Sequence, residues 1–175
     1  MKQLQGFISM FELLITLLIS SLLLSIAIPS FSELIRKNQA RTDLNALQHE
    51  LNYARIHAVS SHTHTLLCPS INQQDCVNDW SQQRMIFADT NANERRDNNE
   101  ALLLLSDGFR HSRQVVWKSF GQKEFIRYDY LGTTIYQSGR FYWCDIEEKE
   151  KQQLIIYRSG RVRKALGSHI LDKCS

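Results

Sequence analysis

Between Gly6 and the end of its first long segment the chain reads FISMFELLITLLISSLLLSIAIPSF, Phe7 to Phe31, with Glu12 its only charged side chain. As a helix, about 22 residues rising about 1.5 Å each cover the roughly 30 Å hydrocarbon core of a bilayer. A short polar leader, MKQLQG, precedes the run. The rest of the chain must sit beside a membrane or leave one. A secretory signal peptide fits poorly, because its apolar part is usually about 7–15 residues and ends in an A-x-A-like site. A plain single-pass anchor leaves Glu12 unexplained. An unpartnered carboxylate in the apolar layer costs on the order of 3 kcal/mol and so usually has a partner or a role.

Gly6, the early Glu12 and the later Pro29 together resemble the class III signal of type IV pilins and type II secretion pseudopilins. The resemblance implies that a prepilin peptidase cuts between Gly6 and Phe7 and that the new N-terminus is methylated. It also implies filament assembly in which Glu12 pairs with the N-terminal amine of a neighbouring subunit. Glu12 is the sixth residue after that cut, one later than in the family pattern, whereas the spacing from Glu12 to Pro29 matches it.

The chain has 175 residues, and the part beyond the membrane run and its helical continuation suffices for one small domain with its own core. Four cysteines, Cys68, Cys76, Cys144 and Cys174, lie outside the run. An even number in a small exported domain points to disulfides and an oxidising compartment. Of the three pairings, Cys68–Cys76, closing a short loop, and Cys144–Cys174, tying down the tail, are favoured. Lys2 precedes the run while Arg36, Lys37 and Arg41 come after it, so the positive-inside rule does not choose an inside N-terminus. The cysteines and the resemblance do choose it, with the C-terminal domain in the periplasm.

Past Pro29, which should bend or locally open a helix, Ala40, Leu44, Leu47, Leu51, Ala54 and Ala58 recur at helical spacing. Arg41, Asp43, Gln48, Glu50, Asn52 and Arg55 lie off that stripe. From Thr63 short β-like runs alternate with turn signals. Strands are expected near 65–68, 84–88, 101–106, 114–118, 124–128, 133–137, 140–144, 153–158 and 161–165. Gly132, Gly139 and Gly160 are read as turns between strands. Sheet packing would cover the helical stripe. The stretch LLCPSINQQDCVNDWSQQRMIFADTNANERRDNNEALLL is similar to the GspH/FimT pseudopilins, through Cys68-Pro69, Cys76, Trp80, Phe87-Ala88-Asp89 and the loop Asn91 to Glu100. Gly160-Arg161-Val162-Arg163 matches a further element of that family.

The expected fold is therefore α+β and type IV pilin-like: a long N-terminal helix, transmembrane then amphipathic, packed on a small antiparallel β-sheet domain. Residues 1–6 form the leader, 7–31 the transmembrane segment, 32–61 the amphipathic continuation and 62–175 the periplasmic β-rich domain. The resemblance implies a minor pilin or pseudopilin whose partners are other major and minor pilins or pseudopilins, the prepilin peptidase and the inner membrane. Its destination is the pilus or pseudopilus, out to the cell surface.

Arg158, Arg161, Arg163 and Lys164 place four cations around one tight turn, with Arg161 and Arg163 on one strand face. Guanidinium forks suit phosphate, and such binding weakens steeply with salt. In the FimT branch the Gly-Arg-x-Arg element is associated with double-stranded DNA capture for natural transformation. The competing readings are a basic edge that keeps a strand soluble and a purely structural pilus-priming or secretion subunit without DNA binding. Arg110, Arg113, Lys118 and Lys123 would widen the patch if folding brought them near. Asp89, Asn91, Asn93, Asp97 and Glu100 follow the spacing of a calcium loop. Glu94 stands where that loop wants glycine, and Arg95 and Arg96 repel a cation, so a solvated turn is the stronger reading. His57, His62 and His64 flank a helix-to-strand junction where polar residues are expected anyway. Trp80, Trp117 and Trp143 read as core. Neither a cofactor, a small-molecule substrate nor a catalytic constellation is indicated, and a membrane-anchored periplasmic enzyme is a remote alternative.

Overall fold

The computed structural model describes residues 10–109, 114–121, 123–134, 137–144 and 152–166. Helix α1 runs Met10–Ser61. Among the described residues eight strands come after it: β1 His64–Pro69, β2 Arg84–Asp89, β3 Leu102–Ser106, β4 Gln114–Ser119, β5 Ile126–Tyr128, β6 Gly139–Cys144, β7 Gln152–Ile156 and β8 Val162–Leu166. The chain divides into two compact units, Met1–Thr42 and Asp43–Ser175. In the first, the helix is continuous through Pro29, with no opened turn there.

The second unit holds two four-stranded antiparallel sheets, in the orders β3-β2-β1-β5 and β4-β6-β7-β8. After β4 the chain crosses to the first sheet, adds β5 beside β1 (Thr65↔Tyr128, Leu67↔Ile126), and returns as β6. The helical stripe is the inner wall of the core. Leu44, Leu47, Leu51, Ala54 and Ala58 are buried against Leu67, Ile86 and Ile126 of the first sheet and Trp117, Phe141, Trp143, Leu154 and Ile156 of the second. A period of 3.6 on the helix thus meets a period of two on the strands. Trp80, from the loop between β1 and β2, fills the centre with its ring 4.6 Å edge-on from Phe141, which stacks on Trp117 at 4.3 Å. All three tryptophans are core residues.

The other face of the first sheet is also covered. Leu66, Cys68, Met85, Phe87 and Phe125 form a second cluster, with Cys76 and Leu102 packed against it. The Cys68–Cys76 disulfide folds its loop over that face. Cys174 lies outside the described residues, as does the side chain of Cys144.

Three expectations are corrected. Residues 133–137 form no strand at Thr133, Thr134 or Gln137, the described positions. Side chains take over there from a ladder: Asp129 accepts from the Leu131 and Thr133 amides, and Gln137 Oε1 accepts from Arg127 N at 2.6 Å. Gly139 opens β6 rather than a turn, paired with Ser119, and glycine fits there because a Cβ would lie 2.5 Å from the Trp117 ring. Glu50, read as off the stripe, is buried. It holds Arg84 of β2 through two hydrogen bonds of 2.7 and 2.9 Å, and the Arg84 guanidinium lies 4.0 Å over the Phe109 ring.

Candidate functional site

Two surfaces carry the residues singled out by sequence. The first is the helix Met10–Ser32, long and apolar enough to cross a membrane. Every side chain described there is exposed. Four of its hydroxyls are satisfied within the helix: Thr16 donates to Leu13 O, Ser20 to Thr16 O, Ser21 to Leu18 O and Ser25 to Leu22 O, at 2.7–2.9 Å. Such back-bonding suits a helix in an apolar surround, where unmet polar groups are costly. Glu12, in the first turn, has no hydrogen-bond or ion-pair partner among the described residues. Gly6 and Phe7 lie outside them.

The second surface is the hairpin of β7 and β8. Tyr157 N donates to Arg161 O at 3.0 Å and Gly160 N to Tyr157 O at 2.8 Å, with Gly160 at φ +76°. A glycine is required there twice over. The backbone is left-handed, and a Cβ would lie 1.9 Å from Gly132 O of the turn after β5. Arg55 of α1 donates to Gly132 O at 2.9 Å and to Ser159 O at 3.2 Å, clamping both turns.

Strand register decides which cations share a face. Lys118 pairs with Arg140, Arg140 with Ile155, and Ile155 with Arg163, giving one row across all four strands. Its neighbours in register, Trp117, Phe141, Leu154 and Val162, point into the core, so the row points out. Lys118, Arg140 and Arg163 are exposed. At about 4.8 Å per strand, Lys118 and Arg163 stand roughly 14 Å apart. Arg161, two residues before Arg163, belongs to the same face and is exposed. No Asp or Glu lies on this face among the described residues. Like charges directly opposite in a ladder weaken it, and Lys118 opposite Arg140 is such a pair.

Lys164 stands apart from the arginines. It pairs with the buried Leu154, faces α1, and donates to Asn45 Oδ1. Arg158 is exposed in the turn itself, where its carbonyl accepts from Thr134 N at 3.0 Å. Of the residues expected to widen the patch, Lys118 joins it. Lys123 pairs elsewhere, 3.1 Å from Glu94, and Arg110 and Arg113 lie outside the described residues. Arg140 is a member that sequence reasoning missed. Alternation with Phe141 and Trp143 marks it as outward-facing, but only the register places it between Lys118 and Arg163.

The loop Asp89–Glu100 uses its oxygens on itself. Asp89 accepts from the amides of Asn93 and Glu94 at 3.1 and 3.2 Å. Asp97 accepts from the side chains of Asn91 and Asn93, and Glu100 from the amides of Thr90 and Asp97. Burial pushes the Asp89 carboxyl above its ordinary value, opposed by the Glu94 and Asn93 amides. Among the described residues no group of three or more His, Cys, Asp or Glu is gathered to hold a metal. His57 instead bonds Thr65 Oγ1 at 3.1 Å.

Residues 43–160 match the family model of the type II transport protein GspH. The fold is similar to the type IV minor pilin FimU of Pseudomonas aeruginosa, with a TM-score of 0.55 and 21% identity over 74% of this chain and 90% of that one. It is also similar to EpsH, the minor pseudopilin of the type 2 secretion system of Vibrio cholerae, with a TM-score of 0.51 and 9% identity over 73% and 97%. No curated protein matches the chain significantly.

Proposed function

Because the chain belongs to the family of the type II transport protein GspH, we propose that it is a minor pilin or pseudopilin, a structural subunit rather than an enzyme. A prepilin peptidase removes residues 1–6, and the new Phe7 amine is methylated. The segment 7–31 holds the subunit in the inner membrane with residues 62–175 in the periplasm. The subunit then moves into a type IV pilus or type II secretion pseudopilus beside other pilins or pseudopilins. The observation that carries this reading is the exposed apolar helix Met10–Ser32, whose back-bonded hydroxyls leave Glu12 as the charge to be matched. A neighbour's N-terminal amine matches it, and the apolar surface is covered first by lipid and then by other helices. The test is co-production with a prepilin peptidase, then intact-mass measurement. A mature chain starting at methylated Phe7 is expected; an uncut chain, or a cut elsewhere, overturns the reading.

A second reading is favoured by the cation row. Lys118, Arg140, Arg161 and Arg163 form an outer face with no Asp or Glu among the described residues, and the repulsion between its members is relieved by a polyanion. The subunit captures DNA on this face, as in natural transformation. Salt-sensitive duplex binding by the full chain in nonionic detergent, lost in Arg161→Gln/Arg163→Gln, is expected. Absence of binding at low salt leaves the structural role alone.

A further inference from the structure

We infer that the hairpin end of this face is built for single-stranded rather than duplex nucleic acid, with Phe120 and Tyr157 as base-stacking platforms. This inference rests on the DNA-binding reading above. Pairing continues one step past the strand ends. Phe120 N donates to Ser138 O at 2.9 Å, beyond Ser119↔Gly139, and Tyr157 N donates to Arg161 O at 3.0 Å, beyond Ile156↔Val162. Phe120, Ser138, Tyr157 and Arg161 therefore make a second outward row, about 7 Å along the strands from Lys118, Arg140, Ile155 and Arg163.

Phe120 is 73% exposed and Tyr157 40% exposed, unlike the buried aromatics Phe141 and Trp143 that alternate with Arg140 on β6. Two exposed rings about 10 Å apart, two strand steps, are thus interleaved with four cations.

The chemistry selects the ligand. In a duplex each base is already stacked on its neighbours and shows only its edges in the grooves. A protein ring on a sheet face gains stacking only from bases that are unpaired. Aromatic platforms beside a basic track are the elements of sequence-tolerant single-strand binding. On this face Lys118, Arg140, Arg161 and Arg163 track the phosphates, while Phe120 and Tyr157 take bases.

The test uses the full chain in nonionic detergent and two labelled probes, an oligo-dT of about 20 nucleotides and a blunt duplex of equal length, titrated at several salt concentrations. Oligo-dT is expected to bind about tenfold or more tighter than duplex. Phe120→Ala/Tyr157→Ala should erase that preference while leaving duplex affinity and the salt slope unchanged. Both residues are exposed, so the fold survives their loss. Arg140→Gln/Arg163→Gln should weaken both probes and reduce the single-strand log–log salt slope by about 1.4, two phosphate contacts at about 0.7 each. Duplex binding as tight as oligo-dT, or a preference unmoved by Phe120→Ala/Tyr157→Ala, overturns this inference and leaves the DNA-binding reading standing. Binding of neither probe at low salt overturns both.

Discussion

The Arg55 Nε of α1 lies 2.9 Å from Gly132 O, while the other arm of the same guanidinium reaches Ser159 O at 3.2 Å. One side chain on the helix thus holds two turns, and the second turn carries Arg161 and Arg163 into the outer face. The close approach of Gly160 to Gly132 completes the lock. The glycine of the Gly-Arg-x-Arg element is a packing residue, and the arginines after it are aimed by that packing.

Arg55→Ala takes the donor from the part-buried Gly132 O and unties the exposed Ser159 turn, and is expected to cost about 1–3 kcal/mol. It should also weaken DNA binding, since the hairpin loses its anchor. Arg55→Lys cannot span both carbonyls with one ammonium and should recover only part of the stability. Thermal melts monitored by circular dichroism, alongside the binding titration, check both effects.

Gly160→Ala should be worse than Gly121→Ala, although both positions have positive φ, +76° and +82°. At Gly121 a Cβ meets nothing within 4 Å, so only backbone strain is added, about 1 kcal/mol. At Gly160 the Cβ collides with Gly132 O, the two turns must separate, and a cost of about 3 kcal/mol or more is expected. Denaturation midpoints of the two variants decide the order.

Glu50 and Arg84 are both buried, with side chains 7% and 4% exposed. Removing either partner leaves a buried charge uncompensated, so Glu50→Ala and Arg84→Ala should each cost about 3–5 kcal/mol. Glu50→Met/Arg84→Met should cost less than the sum of the single Met changes, because no orphan charge remains. A double-mutant cycle on unfolding free energies measures the coupling.

The Cys68–Cys76 bridge closes a loop with a sequence separation of 8. Cys68→Ser/Cys76→Ser is expected to lose about 2–3 kcal/mol on loop entropy alone. The loss should appear as faster proteolysis in the segment between β1 and β2, since that loop covers Met85 and Phe87.

Much of this is legible in the sequence, for physical reasons that mark its limits. The stripe Leu44–Ala58 is visible because burial on one helix face imposes a period. Eight strands are visible because alternation and turn residues bound them. Face partnership across strands is not visible. Arg140 and Lys118 are 22 positions apart, and only the pairing of β4 with β6 brings them together. Glu50 reads as off the apolar stripe because a buried ion pair breaks the apolar pattern on one partner while the other, Arg84, sits on a different element. Lys164 is adjacent to Arg163 in the chain, so adjacency groups them, whereas alternation puts them on opposite faces.

The most direct test is recovery of the chain from sheared filaments of its own cells, wild type beside Glu12→Ala, with N-terminal sequencing of the recovered subunit. The expected result is wild-type subunit in the filament fraction beginning at Phe7, with Glu12→Ala processed but retained in the membrane fraction. A wild-type chain confined to the membrane, or Glu12→Ala entering filaments as well as wild type, would contradict assembly through this helix.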